Sequence, residues 1–201
     1  MNGAYVSLLT FSRQAFSDFE KTAAIVPSSR HLARAMIAPL PLANAKVVVE
    51  FGPGTGVMTR VLLRLAPADA TVLAFEINSR FAAWLRDEFP DKRLNVIECG
   101  AEDAAYELHR LGIDRVDAAL SSLGFSLMQD EQVHETLCGL LPFLTPQSVF
   151  TQFQYLSQMR FQRGGIGRYR VSRLLADYFT TVHRTVVWRN VPPAFAFACR
   201  R

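Results

Sequence analysis

Apolar and polar positions along this chain switch repeatedly between two periods. Val47-Val48-Val49 is a continuous β-branched run, as expected of a strand buried on both faces of a parallel sheet. After a glycine-rich turn, apolar residues recur at helical spacing over 55–66. The same succession follows with strand 71–76 and helix 78–88, then strand 94–98 and a helix ending near Arg110. Strand 116–121 leads to helix 130–141, and strand 148–155 to helix 170–179. Two last strands, 181–188 and 195–200, are separated only by Asn190-Val191-Pro192-Pro193. Strands alternating with helices predict a parallel sheet covered on both faces, and the two adjacent strands predict one antiparallel member. The expected fold class is therefore α/β with a seven-stranded, mostly parallel sheet, and no internal repeat divides the chain.

Ahead of this core, residues 4–20 place Tyr5, Leu8, Leu9, Phe16 and Phe19 on one side of a helix. That helix either packs on the sheet or acts as an amphipathic cap over a ligand or in a membrane interface. Arg13 and Lys21 are its only basic residues, so both readings stand. Pro27 opens a turn, and Ser28 or Ser29 can cap a helix that runs to Ala38, before Pro39 and Pro41. Two hydroxyls and Arg30 at a helix start also form a phosphate-binding arrangement. His31 reads as structural or surface. Residues 1–45 are thus an accessory helical part, and 46–201 the core of a single domain.

Composition narrows the class. The chain has 201 residues, half of them hydrophobic and a fifth charged, which suits one globular core. Three separated cysteines, with no C-x-x-C pair, argue against a zinc site or disulfide framework and fit a reducing cytoplasm. The start lacks the basic, then apolar, pattern of a signal peptide. Residues 136–159 carry no charge, but Pro142, Pro146 and four glutamines argue against a membrane span. The net charge of +4 is uneven: beyond Glu135 there are nine arginines and one acid, Asp177. Such a segment suits an anionic partner, either nucleic acid or an acidic membrane surface.

The chemistry concentrates at Glu50-Phe51-Gly52-Pro53-Gly54-Thr55-Gly56. A dinucleotide fingerprint spaces its glycines G-x-G-x-x-G and sets a pyrophosphate over the helix start. Here the spacing is G-x-G-x-G, and the preceding carboxylate would repel a pyrophosphate while suiting a cationic ligand. Glu76 ends the next strand, where an acid can hold ribose hydroxyls. Ligands of such sheets sit beyond the carboxyl ends of the strands, so Glu102, Asp103, Ser121, Ser122 and Tyr155 are further candidates. Glu102 or Asp103 can accept an adenine amino group or cap the following helix. Tyr155 either faces the reacting group or is a core aromatic.

The glycine loop, Glu50 and Glu76 together resemble the S-adenosylmethionine site of class I methyltransferases. The resemblance implies a Rossmann-like sheet and cofactor contacts from Glu50, Gly52, Gly54, Thr55, Gly56, Glu76, Ile77, Ala101, Glu102 and Ser121. Four stretches extend it to the bacterial phospholipid N-methyltransferases: Val26-Pro27-Ser28-Ser29-Arg30-His31-Leu32-Ala33, the glycine loop, Phe150-Thr151-Gln152-Phe153-Gln154-Tyr155, and Asn190-Val191-Pro192-Pro193-Ala194. This family implies a monomeric enzyme, peripheral on the inner face of the bacterial membrane, that methylates phosphatidylethanolamine one or more times and releases S-adenosylhomocysteine. It implies no metal and no nucleic acid. Tyr155 and Ser121 are the catalytic candidates. Ser28, Ser29, Arg30, Arg160, Arg163 and Arg168 are candidates for the lipid phosphate.

Base methyltransferases end their fourth strand with N/D-P-P-Y or N-L/I-P-F/Y. This chain has Ser121-Ser122-Leu123-Gly124-Phe125, which disfavours an RNA adenine. An rRNA adenine or small-molecule N- or O-methyltransferase on the same fold is the alternative. Residues 159–173 mix five arginines with Met, Phe, Ile and Tyr, and Gly164, Gly165 and Gly167 predict a mobile loop over the site mouth.

Overall fold

The computed structural model describes residues 30–156, 159–162, 165–168 and 171–201, with 159–162 and 165–168 described by their backbone only. The expected helix at 4–20 and the capping serines Ser28 and Ser29 lie outside the described residues. Helix α1 (Arg30–Ile37) buries Leu32, Ala33, Met36 and Ile37 and leads through Leu40 and Leu42 to β1 (Val47–Phe51). The chain then alternates through α2 (Val57–Leu65), β2 (Thr71–Phe75), α3 (Ser79–Glu88), β3 (Leu94–Ile97), α4 (Ala104–Arg110), β4 (Val116–Ser121), α5 (Asp130–Leu140) and β5 (Leu144–Tyr155). A hairpin of β6 (Met159–Gln162) and β7 (Gly165–Arg168), helix α6 (Val171–Ala176), β8 (Thr181–Val187) and β9 (Ala194–Arg200) complete it.

The seven-stranded sheet has the order β3-β2-β1-β4-β5-β9-β8. β1 runs parallel to β2 and β4, while β9 runs antiparallel to both β5 and β8. The expected sheet and its one antiparallel strand are therefore present. Reversal of chain order at β1 and β4 opens a crevice beyond their carboxyl ends, the usual ligand position in open α/β sheets. Asp117 secures the other end of β1: its Oδ2 accepts from the Lys46 and Val47 backbone N–H groups at 2.8 and 3.1 Å.

Period-2 alternation sends successive side chains to two cores. One face joins Phe51, Phe75, Phe125, Phe150 and Phe197 with α4, α5 and α6; Phe150 stacks on Phe179 at 5.4 Å. The other joins Val48, Val72, Leu120 and Val149 with α1, α2 and Leu85.

Two expectations need correction. β5 starts at Leu144 instead of 148, although Pro146 interrupts the pattern. The register jumps from Val116↔Leu144 to Ala118↔Val149, so residues 145–148 bulge and Pro146 owes no ladder hydrogen bond. Ser148 stabilises the bulge by accepting from Thr145 N and donating to Val116 O. The arginine-rich segment is not simply a loop: β6 and β7 pair antiparallel, Met159↔Arg168 to Gln162↔Gly165. Alternation of apolar and basic residues with glycine at the turn is hairpin chemistry that a glycine count conceals.

Candidate active site

Glu50 closes β1 on the α2 side and is wholly buried. Thr59, on the first turns of α2, donates to Glu50 Oε2 at 2.7 Å, whereas Oε1 has no partner among the described residues. Burial, and secondarily the Glu76 charge, push the Glu50 carboxyl up to about 7. An unpaired buried acceptor of this kind is costly unless a donor or cation arrives to meet it.

The loop after β1 turns through positive φ at Gly52 (67°), Gly54 (55°) and Gly56 (81°). The three glycines serve different ends. A Cβ on Gly54 would meet nothing within 4 Å, so this position borders open space. A Cβ on Gly56 would stand 2.4 Å from the Phe89 ring, so its glycine is required by packing of α2 against the end of α3. Thr55 is half-buried between them. Glu76, at the end of β2, accepts from Gly54 N at 3.0 Å and Asn78 N at 2.9 Å, tying the glycine loop to the next turn. Burial raises its pKa. Asn78 in turn caps α3 by accepting from Arg80 and Phe81 N–H groups.

A cleft beside these residues is lined by Gly52, Glu76, Ile77, Ala101, Glu102 and, beyond the expected residues, Phe75, Cys99, Leu123 and Met128. Asp103 is exposed and is not among its lining residues. The cleft holds only about 50 Å³, smaller than a nucleoside. Leu123 leans over Gly52 and the Glu102 carboxylate folds back over Gly100, so these two side chains must turn aside for a nucleoside to enter. Burial, with the neighbouring acids Asp103, Glu107 and Glu102, pushes the Cys99 thiol up to about 12, which keeps it from acting as a thiolate.

The catalytic candidates occupy less central positions. Ser121 Oγ accepts from Leu123 N at 3.3 Å and shapes the turn after β4. Tyr155 lies on the α1 side of β5, edge-on to Phe153 at 5.1 Å, and does not line the cleft. Burial raises its phenol pKa, so at neutral pH it stays a neutral phenol and does not take up a proton as phenolate would. Sequence reasoning missed Gln152. This buried amide donates to Leu123 O and Phe153 O at 2.8 Å each, leaving its Oε1 buried without a partner among the described residues. Nothing in the sequence set it apart, because Thr151 and Gln154 are buried polar neighbours on the same strand.

Arg30 stands at one end of a separate apolar groove between α1 and α2, of about 600 Å³, lined by Ala33, Arg34, Ile37, Val57, Arg60 and Leu65 among others. No acid lines it. Arg60 pairs with Glu88 at 2.6 Å and lies over the Phe89 ring. Arg160 and Arg168 fall on β6 and β7, placed by backbone only, and Arg163 lies outside the described residues. Among the described residues there is no group of three acids, histidines or cysteines able to hold a metal, and no helix long and apolar enough to cross a membrane.

Sheet order and loop geometry define the fold of class I S-adenosylmethionine-dependent methyltransferases. Across the full chain the structure resembles the Burkholderia thailandensis 1,6-didemethyltoxoflavin N1-methyltransferase with bound S-adenosylhomocysteine, at TM-score 0.68 and 17% identity over 91% of that chain. The DhpI–SAH complex matches equally, at TM-score 0.68 and 18% identity over 98% of that chain. Residues 28–105 match the ribosomal RNA adenine dimethylase family. In sequence the chain is 29% identical over 179 residues to an ornithine lipid N-methyltransferase of Singulisphaera acidiphila, covering 89% of this chain and 88% of that protein.

Proposed function

We infer that this chain is an S-adenosylmethionine-dependent N-methyltransferase whose acceptor is the primary amine of a membrane lipid. The cofactor, when bound, supplies a methyl already activated on a sulfonium. The residues present fit it. Glu50 Oε1 offers an unpaired anionic acceptor to the cationic aminoacyl end, Gly54 leaves room beside the loop, and Glu76 keeps lone pairs for ribose hydroxyls. Ile77, Ala101 and Glu102 line the cleft that would receive the adenine. Thr55 and Gly56 contribute through the backbone of the loop. Proximity and alignment then supply most of the catalysis.

The observation that carries the lipid acceptor is the groove between α1 and α2. Its floor is apolar, its rim carries Arg30 and Arg34 beside the Glu88-paired Arg60, and no acid lines it among the described residues. Acyl chains and an anionic head group answer these features, and the likeness to an N-methyltransferase of a lipid supports the amine. Phosphatidylethanolamine and an ornithine lipid both qualify, one through its phosphate and the other through its carboxylate. The likeness to the Singulisphaera enzyme supports the class. The adenine dimethylase match supports the cofactor half alone, because it ends at residue 105, before the Ser121–Phe125 turn where base methyltransferases carry their acceptor motif.

An alkylammonium like that of lysine, with a reference pKa of ~10.4, must lose a proton before it attacks. An apolar site lowers that pKa. Gln152 Oε1 and the Ser121 hydroxyl are the acceptors offered to the amine N–H groups. Methyl transfer from labelled S-adenosylmethionine into vesicles containing phosphatidylethanolamine or ornithine lipid tests the reading, with RNA and small amines as alternative acceptors. Label in a lipid amine is expected. Label confined to RNA or small amines would overturn it.

A further inference from the structure

Topology puts a second apolar feature at the same edge of the sheet as the cofactor loop. β8 is antiparallel to β9, and β9 is antiparallel to β5, so β8 ends where β1, β4 and β5 end. The turn joining β8 to β9 therefore lies beside the end of β5, and Leu156 N donates to Pro193 O at 2.9 Å. This turn exposes Trp188 to 70% and Val191 to 76%, the two highest values for large hydrophobic side chains among the described residues. Arg189 between them is exposed as well. Asn190, in contrast, is buried and donates through Nδ2 to Pro192 O at 2.7 Å. The turn thus holds its apolar residues outward on a fixed backbone.

Leu127, in the turn after β4, is 54% exposed at the same edge. Three strand steps, about 14 Å, separate the ends of β4 and β8. Among the described residues the other exposed large side chains are Leu65, Trp84, Tyr106 and Leu111, all on or just after helices, with Tyr106 in the first turn of α4. Isolated exposed apolar residues are ordinary on soluble proteins. A Trp, a Val and an Arg on one rigid turn have the composition of an interfacial anchor: the indole and aliphatic groups enter the acyl boundary and the guanidinium meets anionic head groups.

We propose that the β8–β9 turn is a membrane-docking element, inserting Trp188 and Val191 into an anionic bilayer and so turning the cofactor edge of the sheet towards the lipid. The proposal rests on the lipid-acceptor reading, since such an acceptor must be delivered from a bilayer. Trp84 is the only other tryptophan, so W84F leaves Trp188 as the sole indole. Its emission is expected to shift to the blue, and to be quenched by brominated acyl chains, when phosphatidylethanolamine vesicles with an anionic lipid are added. Combined W188A and V191A is expected to weaken vesicle binding about tenfold or more, while binding of S-adenosylhomocysteine is unchanged. Unchanged emission with vesicles that the protein binds or methylates, or no vesicle binding at all, would overturn the proposal. Insertion of Trp188 without any lipid methylation would instead leave the anchor in place and remove the lipid-acceptor reading.

Discussion

Replacing Glu50 by glutamine separates the two consequences of placing a carboxylate in the core beneath a cofactor loop. Glu50 is wholly buried, one oxygen is unpaired, and its pKa rises from 4.5 to about 7. The folded protein therefore binds more protons than the unfolded chain between these values. Stability from this group falls as pH rises across the window, and the loss is complete above about pH 7. Its ceiling is about 3 kcal/mol, since each pH interval of one is worth ~1.4 kcal/mol. E50Q removes that ionisation, so without ligand the variant should gain thermal stability relative to wild type at pH 8 and little at pH 5. Cofactor binding should move oppositely. If the ionised carboxylate receives the cationic end of the cofactor, wild-type affinity rises up to tenfold per pH unit below 7 and levels off above it. E50Q should bind more weakly at pH 8 and lack the Glu50 part of this dependence. Calorimetric titration of both proteins with the same ligand from pH 5.5 to 8.5 cancels the ligand's own protonation. Parallel pH profiles for wild type and E50Q would refute the reasoning.

The glycine loop predicts a contrast between neighbours. G54A meets no clash but carries φ 55°, so it should cost about 1–2 kcal/mol in thermal or urea unfolding and weaken cofactor binding; G56A must displace the Phe89 ring and should cost about 3 kcal/mol or more, with G54A the more damaging of the two refuting the assignment. E76A leaves the Gly54 and Asn78 N–H groups without their acceptor and removes a ribose partner, so affinity for S-adenosylhomocysteine should fall at least about tenfold by calorimetry. R30A with R34A should reduce methyl transfer to vesicles by about tenfold while leaving S-adenosylhomocysteine affinity unchanged; equal loss of both would place these arginines in the fold instead of the lipid groove.

Much of the architecture was legible along the chain because its signals are local. Three valines, then an acid, then glycines at alternate positions describe a buried strand feeding a tight turn and a helix, whatever lies elsewhere. Glu76 could be paired with that loop by position alone. Less could be read where a residue's task depends on distant neighbours. Gly54 and Gly56 look equivalent in sequence, yet one faces open space and the other the Phe89 ring, 33 residues further on. Gln152 became a candidate only when its amide met the Leu123 carbonyl.

Strand order, the extension of β5 through Pro146 and the pairing of β6 with β7 likewise depended on contacts between separated segments. The sequence by itself determined the alternation of strands and helices, the acid-glycine loop and the basic bias of the C-terminal third, because these follow from propensity, periodicity and charge. Only the tertiary structure decided that Glu50 is buried with one oxygen unpartnered among the described residues, that Arg30 and Arg34 rim an apolar groove, and that Trp188 stands at the cofactor edge. Burial and direction are set by what the folded chain brings alongside each residue, and that information is held by pairs of segments instead of by either one.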